Sequence, residues 1–148
     1  MKPILPLVLI GTLLASSAFA ETFEVQMLNK NPDNPKQRMV FVPDFLQVQP
    51  GDTVIFKATD KGHNAQSIKG MVPDGADMWK GKMNKDVSVT FSVEGLYGYK
   101  CMPHFGLGMV GTVQVGDDTS NLAAMKAKKT PPKAMAVFNR IYQKIAAQ

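Results

Sequence analysis

Residues 87–93 read V-S-V-T-F-S-V, with apolar and polar side chains alternating at every step. A period of two belongs to a strand with one face buried and one face wet; on a helix the same residues would scatter around the axis. The pattern returns along the chain. Phe23, Val25 and Met27 share one parity, as do Leu46 and Val48, then Val54, Phe56 and Ala58, then Met109, Gly111, Val113 and Val115. Turn signals separate these runs: Pro43-Asp44, Pro50-Gly51-Asp52 and Glu94-Gly95. With residues 39–42, a short run at 65–68 and residues 96–101, about eight strands are expected, which points to an all-β sandwich or barrel.

The two ends of the chain break the pattern. Residues 1–20, MKPILPLVLIGTLLASSAFA, carry one basic residue, an apolar run and an Ala-x-Ala site, the form of a secretory signal peptide. A membrane anchor is the alternative, but the run is short and interrupted by proline. Residues 21–116 are then the β domain, and residues 117–148 a helical extension packed on it. In that tail Thr119 or Ser120 is expected to cap a short helix, and Thr130 to cap a second that begins at Pro131. Met135, Phe138, Ile141, Tyr142 and Ile145 recur at helical spacing opposite Lys133, Arg140 and Lys144. That stripe is narrow, so it suits the sandwich better than a membrane surface.

Composition narrows the partners. The formal net charge is +5, or +4 once Lys2 leaves with the leader, and only two of the basic residues are arginine. Nucleic-acid binders carry denser basic patches, so none is expected here. A lysine-bearing face suits an acidic protein partner. No segment beyond the leader is long and apolar enough to span a bilayer, and a monomer is expected.

The chemistry concentrates in one loop. Residues 97–112, Y-G-Y-K-C-M-P-H-F-G-L-G-M-V-G-T, hold the only cysteine, Cys101, with His104 and Met109 beyond it at C-x2-H-x4-M spacing. An unpaired thiol in an exported chain is buried and inert, cross-linked to another chain, or bound. Cys101 ends one strand and Met109 begins the next, so a tight loop presents all three side chains around one point. The only other histidine, His63 in D-K-G-H-N, also lies just past a strand end. A thiolate and two imidazoles in a plane, with a weak axial thioether, form the blue-copper electron-transfer site. Zinc would accept the first three, but structural zinc sites recruit a further Cys or His rather than a thioether. One copper ion is therefore the expected cofactor, held by His63, Cys101, His104 and Met109.

Other readings of the loop remain at this level. Copper storage calls for an open, exchangeable site rich in Met and His. A Cys–His hydrolase calls for an activated thiolate, an orienting group and a pocket. A dimer linked through Cys101 would use the thiol alone.

Gly51-Asp52-Thr53-Val54, Gly62-His63-Asn64 and C-x-P-H-x-G-x-G-M over 101–109 together resemble the cupredoxins, the type 1 blue-copper family. The likeness spans nearly all of the chain after the leader, including V-x-M-L-N-K at 25–30, M-V-F-x-P at 39–43, V-G-D at 115–117 and the two-helix tail. Plastocyanins share the ligand loop but lack such a tail. The resemblance implies an eight-stranded Greek-key sandwich with copper near one end. It also implies a periplasmic one-electron carrier that is no enzyme, with nitrite reductase or a cytochrome as acidic redox partner in denitrification. By the same resemblance, Asn64 pins the two ligand loops together and points its N–H at the Cys101 sulfur, and Met39 lies near His104. Pro103 is expected to stand against the ligands with Asn64 and Met39; beside it His104 should open onto an apolar patch where Phe105 and Leu107 meet a partner, with Lys30, Lys61, Lys80, Lys82 and Lys100 as candidates for a basic ring. Three features depart from the commonest pattern: N-P-D-N-P inserted before Met39, Met102 where threonine is common, and Phe105 where tyrosine is usual.

Overall fold

The computed structural model describes residues 19–148, so the expected leader falls almost wholly outside the described residues. Eight strands follow in order: β1 (Thr22–Lys30), β2 (Arg38–Val42), β3 (Phe45–Val48), β4 (Thr53–Lys57), β5 (Gln66–Ser67), β6 (Val87–Thr90), β7 (Gly95–Lys100) and β8 (Val110–Val115). Two helices close the chain, α1 (Leu122–Ala127) and α2 (Pro132–Ala146). One four-stranded sheet runs β2-β1-β4-β6 and the other β3-β8-β7-β5. β1 lies parallel to β4, and β3 parallel to β8; the other neighbours are antiparallel. This is an eight-stranded two-sheet sandwich with two C-terminal helices, the architecture that the sequence resemblance implies.

The alternation decides what fills the space between the sheets. Val25, Met27, Val54, Phe56, Tyr97, Tyr99, Val113 and Val115 all point inward and are buried. Tyr99 sits edge-on to Phe41 and Phe56, with ring centres 4.8 and 4.9 Å away. Cys101 and Met109 close this core at one end.

The expectation of one wet face fails for β7 and β8. Every residue of β8, and all of β7 but Lys100, is buried or nearly so. Their outer face carries Leu96 and Val110, and α1 and α2 cover it with Met125, Ala134, Phe138, Ile141 and Tyr142. The helix stripe therefore has an apolar sheet face waiting for it, and each removes the other's apolar area from water. Gly98 makes room on that face: a methyl group there would meet Met71 at 2.9 Å.

The helix starts also differ from expectation. α1 begins after Asn121, not after a Thr119 or Ser120 cap. The Asn121 side chain instead accepts from Leu96 N at 3.0 Å and donates to Leu96 O at 2.8 Å, tying the tail to the start of β7. α2 begins at Pro132 after Pro131, and the buried Thr130 hydroxyl makes no capping bond.

Candidate metal centre

Two loops and one strand end bring the ligands together. His63 leaves β4 through Gly62, whose φ of 91° lies in the left-handed region that glycine tolerates. Asn84 Oδ1 accepts from Gly62 N at 2.6 Å, and Asn84 N donates to His63 O at 2.9 Å, so the His63 loop is anchored on the segment before β6. The other loop closes on itself. Cys101 N donates to Met109 O at 3.0 Å, and Met109 N donates to His104 O at 3.1 Å. The turn between is a single 3-10 turn, Phe105–Leu107, ended by Gly108 at φ 89°.

The result is a cluster of donor atoms. His63 Nδ1 and His104 Nδ1 stand 3.1 Å apart, and Cys101 Sγ lies 3.7 Å from the first and 3.5 Å from the second. A point at the centre of that triangle is about 2 Å from all three, the distance at which imidazole nitrogen holds a transition metal. His63, Cys101 and Met109 are buried; His104 is half-buried.

The protonation of the cluster also fits a cation. His63 Nε2 lies 2.8 Å from Asn29 Oδ1, an atom that can only accept, so the proton sits on Nε2 and the Nδ1 lone pair faces inward. Burial, helped by the neighbouring His104, holds the His63 pKa below its usual value and keeps the ring neutral. Burial pushes the Cys101 thiol up, against the backbone N–H groups of Asn64 and His104 that point at the sulfur. Those two N–H groups are placed to stabilise a thiolate once a metal displaces the proton.

Asn64 joins the two loops. Its Oδ1 accepts from Met102 N at 2.8 Å, while Nδ2 donates to Gln66 Oε1 at 3.0 Å and to Gly81 O at 3.2 Å. Met102 is otherwise 57% exposed, so its backbone rather than its side chain meets the site. Met39 takes a left-handed φ of 53° in β2 and drops out of the ladder opposite Asn29. Its side chain packs against the inner core and walls a groove of about 700 Å³ between β2 and α2. Leu107 and Gly108 share that groove, but none of the four ligands lines it.

Asn29 is the site residue that sequence reasoning passed over. It continues the parity of Phe23, Val25 and Met27 in β1, 34 residues from His63, so a polar side chain on the core-facing register was the signal that could have found it. The inserted N-P-D-N-P stretch leaves that strand undisturbed. It closes on itself through Asn31 N to Gln37 O at 3.0 Å and Asn31 Nδ2 to Gln37 Oε1 at 2.7 Å. Gly106 stands in open space beside His104, which keeps the rim low there. Gly108 has a different reason: its φ is positive, and an added methyl would press on Lys133 O of α2 at 3.0 Å.

His63, Cys101, His104 and Met109 at one end of such a sandwich define a type 1 copper protein of the cupredoxin class. Residues 26–116 match the family described as copper binding proteins, plastocyanin/azurin family. The chain is 50% identical over 121 residues to a pseudoazurin of Paracoccus pantotrophus, covering 82% of this chain and 81% of that one. A solved pseudoazurin from Sinorhizobium meliloti superposes with TM-score 0.80 at 46% identity, covering 84% of this chain and 96% of the other. One from Methylobacterium extorquens gives 0.79 at 41%, covering 84% and 98%. The chain belongs to the pseudoazurin family, electron-transfer cupredoxins rather than enzymes. His63, Cys101, His104 and Met109 would hold copper there, and the ion would supply one-electron exchange between Cu(II) and Cu(I). The protein's part is to hold four ligands in a frame that both states can share, with buried walls that exclude water.

Proposed function

We propose that this protein carries single electrons in the periplasm and delivers them to nitrite reductase during denitrification. The observation that carries the reading is the asymmetry of the ligand set. Three ligands are buried, whereas His104 is half-buried between exposed Pro103 and half-exposed Phe105, with Leu107 51% exposed. An electron leaving through that imidazole crosses little protein, and the apolar rim lets a partner approach without trapping charge at the contact.

The chain's topology supports a basic ring around the rim. Lys30 follows Asn29, Lys61 stands two residues before His63, and Lys100 adjoins Cys101. Lys80 and Lys82 flank Gly81, whose carbonyl accepts from Asn64. Lys100 Nζ also lies 4.5 Å from the centre of the Phe105 ring, so this charge is held at the rim. The other four lysines are exposed. Met39 and Asn64 would tune the potential by packing and hydrogen bonding around the ligands. The periplasmic address rests on the leader read from residues 1–20.

Stopped-flow reduction of a purified copper nitrite reductase by the reduced protein tests the reading. The second-order rate is expected to fall steeply with added salt, and to fall further when Lys61 and Lys100 are changed to glutamate. A rate indifferent to salt and to both substitutions would reject the ring. No electron transfer at any ionic strength would reject the partner.

A further inference from the structure

Asp52 is a buried carboxylate, 4% exposed, at the end of the sandwich where β1 and β4 begin. Its Oδ2 accepts from Gln49 N at 2.7 Å and its Oδ1 from Glu21 N at 2.8 Å. Its backbone is held as well, by Asp52 N to Gln49 O and Phe91 N to Asp52 O. Among the described residues the ion pairs are Lys57–Asp86 and Arg140–Asp44, and neither involves Asp52. A buried carboxylate without a cation is costly. The group that meets it is the backbone nitrogen of Glu21, the first residue beyond the Ala-x-Ala site. The bond on its other side is open to attack: Phe19 is 85% exposed, and Ala20 and Glu21 are exposed. From Glu21 onward the chain is fixed, with Thr53 N donating to Glu21 O at 2.9 Å and Thr22 paired with Thr53.

We propose that Asp52 is a built receptor for the α-ammonium group that cleavage of the leader at Ala20–Glu21 creates. The inference rests on the leader reading given above. A leader peptidase hydrolyses the amide: the C–N bond breaks, water's hydroxyl goes to the Ala20 carbonyl carbon, and its proton goes to the Glu21 nitrogen. The free amine then takes one proton from solvent. A neutral amide donor becomes a cation at the same place, and the hydrogen bond to Asp52 becomes an ion pair with charge on both partners. Both chains give the carboxylate its two hydrogen bonds, but only the processed chain gives it a cation. The precursor therefore folds less stably than the processed chain.

Four metal-free proteins test this by urea unfolding: the chain starting at Glu21, the chain starting at Phe19, and each with Asp52→Asn. In the wild-type background the folding equilibrium constant is expected to be about tenfold larger for the chain starting at Glu21. In the Asn background the difference should shrink to less than about twofold. An equal gain in both backgrounds, or no gain in the wild type, would overturn the receptor role. If the Asn variants do not fold, acetylating the α-amino group of the chain starting at Glu21 should reduce it to the stability of the longer chain; unchanged stability would overturn the proposal. The mass of the exported protein separates the two readings. A different N-terminus rejects the processing bond, whereas a Glu21 start with no coupling rejects the receptor alone.

Discussion

His63 Nε2 and Asn29 Oδ1 lie 2.8 Å apart, and this bond between a loop histidine and a strand asparagine settles which nitrogen of the ring faces Cys101 and His104. A ligating histidine whose far N–H is held keeps one tautomer and one orientation. Asn29→Ala is expected to lower Cu(II) affinity by about 10–100-fold, measured by competition with a chelator. Asn29→Asp keeps the acceptor and should recover most of the loss. Equal affinity in wild type and Asn29→Ala would show that the loop alone orients the ring.

Asn64 serves both ligand loops with one side chain, accepting from Met102 N and donating to Gln66 and to Gly81 O. Leucine has similar bulk but none of these groups. Asn64→Leu should destabilise the metal-free protein by about 1–3 kcal/mol in urea, because Met102 N and Gly81 O lose their partner. The copper-loaded form should also shift its visible absorption as the loop bearing Cys101 relaxes. Unchanged stability and spectrum would mean that the loops hold their places without it.

Phe138 is 1% exposed at the centre of the helix–sheet interface and stacks on Tyr142 at 5.9 Å. Phe138→Ala should cost about 3–5 kcal/mol of stability. The ligands stand in the other core, so the visible copper band should survive in the folded fraction. Loss of the band without loss of stability would show that α2 shapes the ligand loop directly.

All three tyrosines are held protonated by burial: Tyr97 is raised, Tyr99 well raised, and Tyr142 pushed up to about 12. A raised folded pKa contributes stability that is complete below the unfolded value near 10 and is lost as pH climbs through the folded one. Stability should therefore decline between about pH 10 and 12, where the unfolded chain ionises first. Phenolate absorption at pH 10 should be weaker in the native protein than in urea, where it should be about half developed. Tyr142→Phe should flatten part of the decline; an unchanged alkaline profile would place its cause elsewhere.

Much of this molecule is local in the chain. Strand identity follows from period-two alternation, and turns from Pro, Gly and Asp. Cys101, His104 and Met109 share one loop, so their spacing alone presents them to one ion, and His63 is the only remaining imidazole. The apolar stripe of α2 was also legible, although Ala134 sits deeper in it than Met135. Residue type carries this much because metal affinity and amphipathic periodicity depend on which side chains are present and how far apart they stand in sequence.

What tertiary structure decided are the partners brought from afar. Asn29 is a polar residue on the apolar parity of β1, and only the packing of that strand end beside the His63 loop shows which group it serves. Asn121 was passed over for the helix cap because nothing local shows that Leu96 offers both a donor and an acceptor to its side chain. The outer face of β7 and β8 reads as wet until the helices lie on it. Asp52 reads as a turn residue until β1 lays Glu21 N against it. In each case a hydrogen bond or a buried face is completed by a group that the chain supplies tens of residues away, and only folding sets that distance.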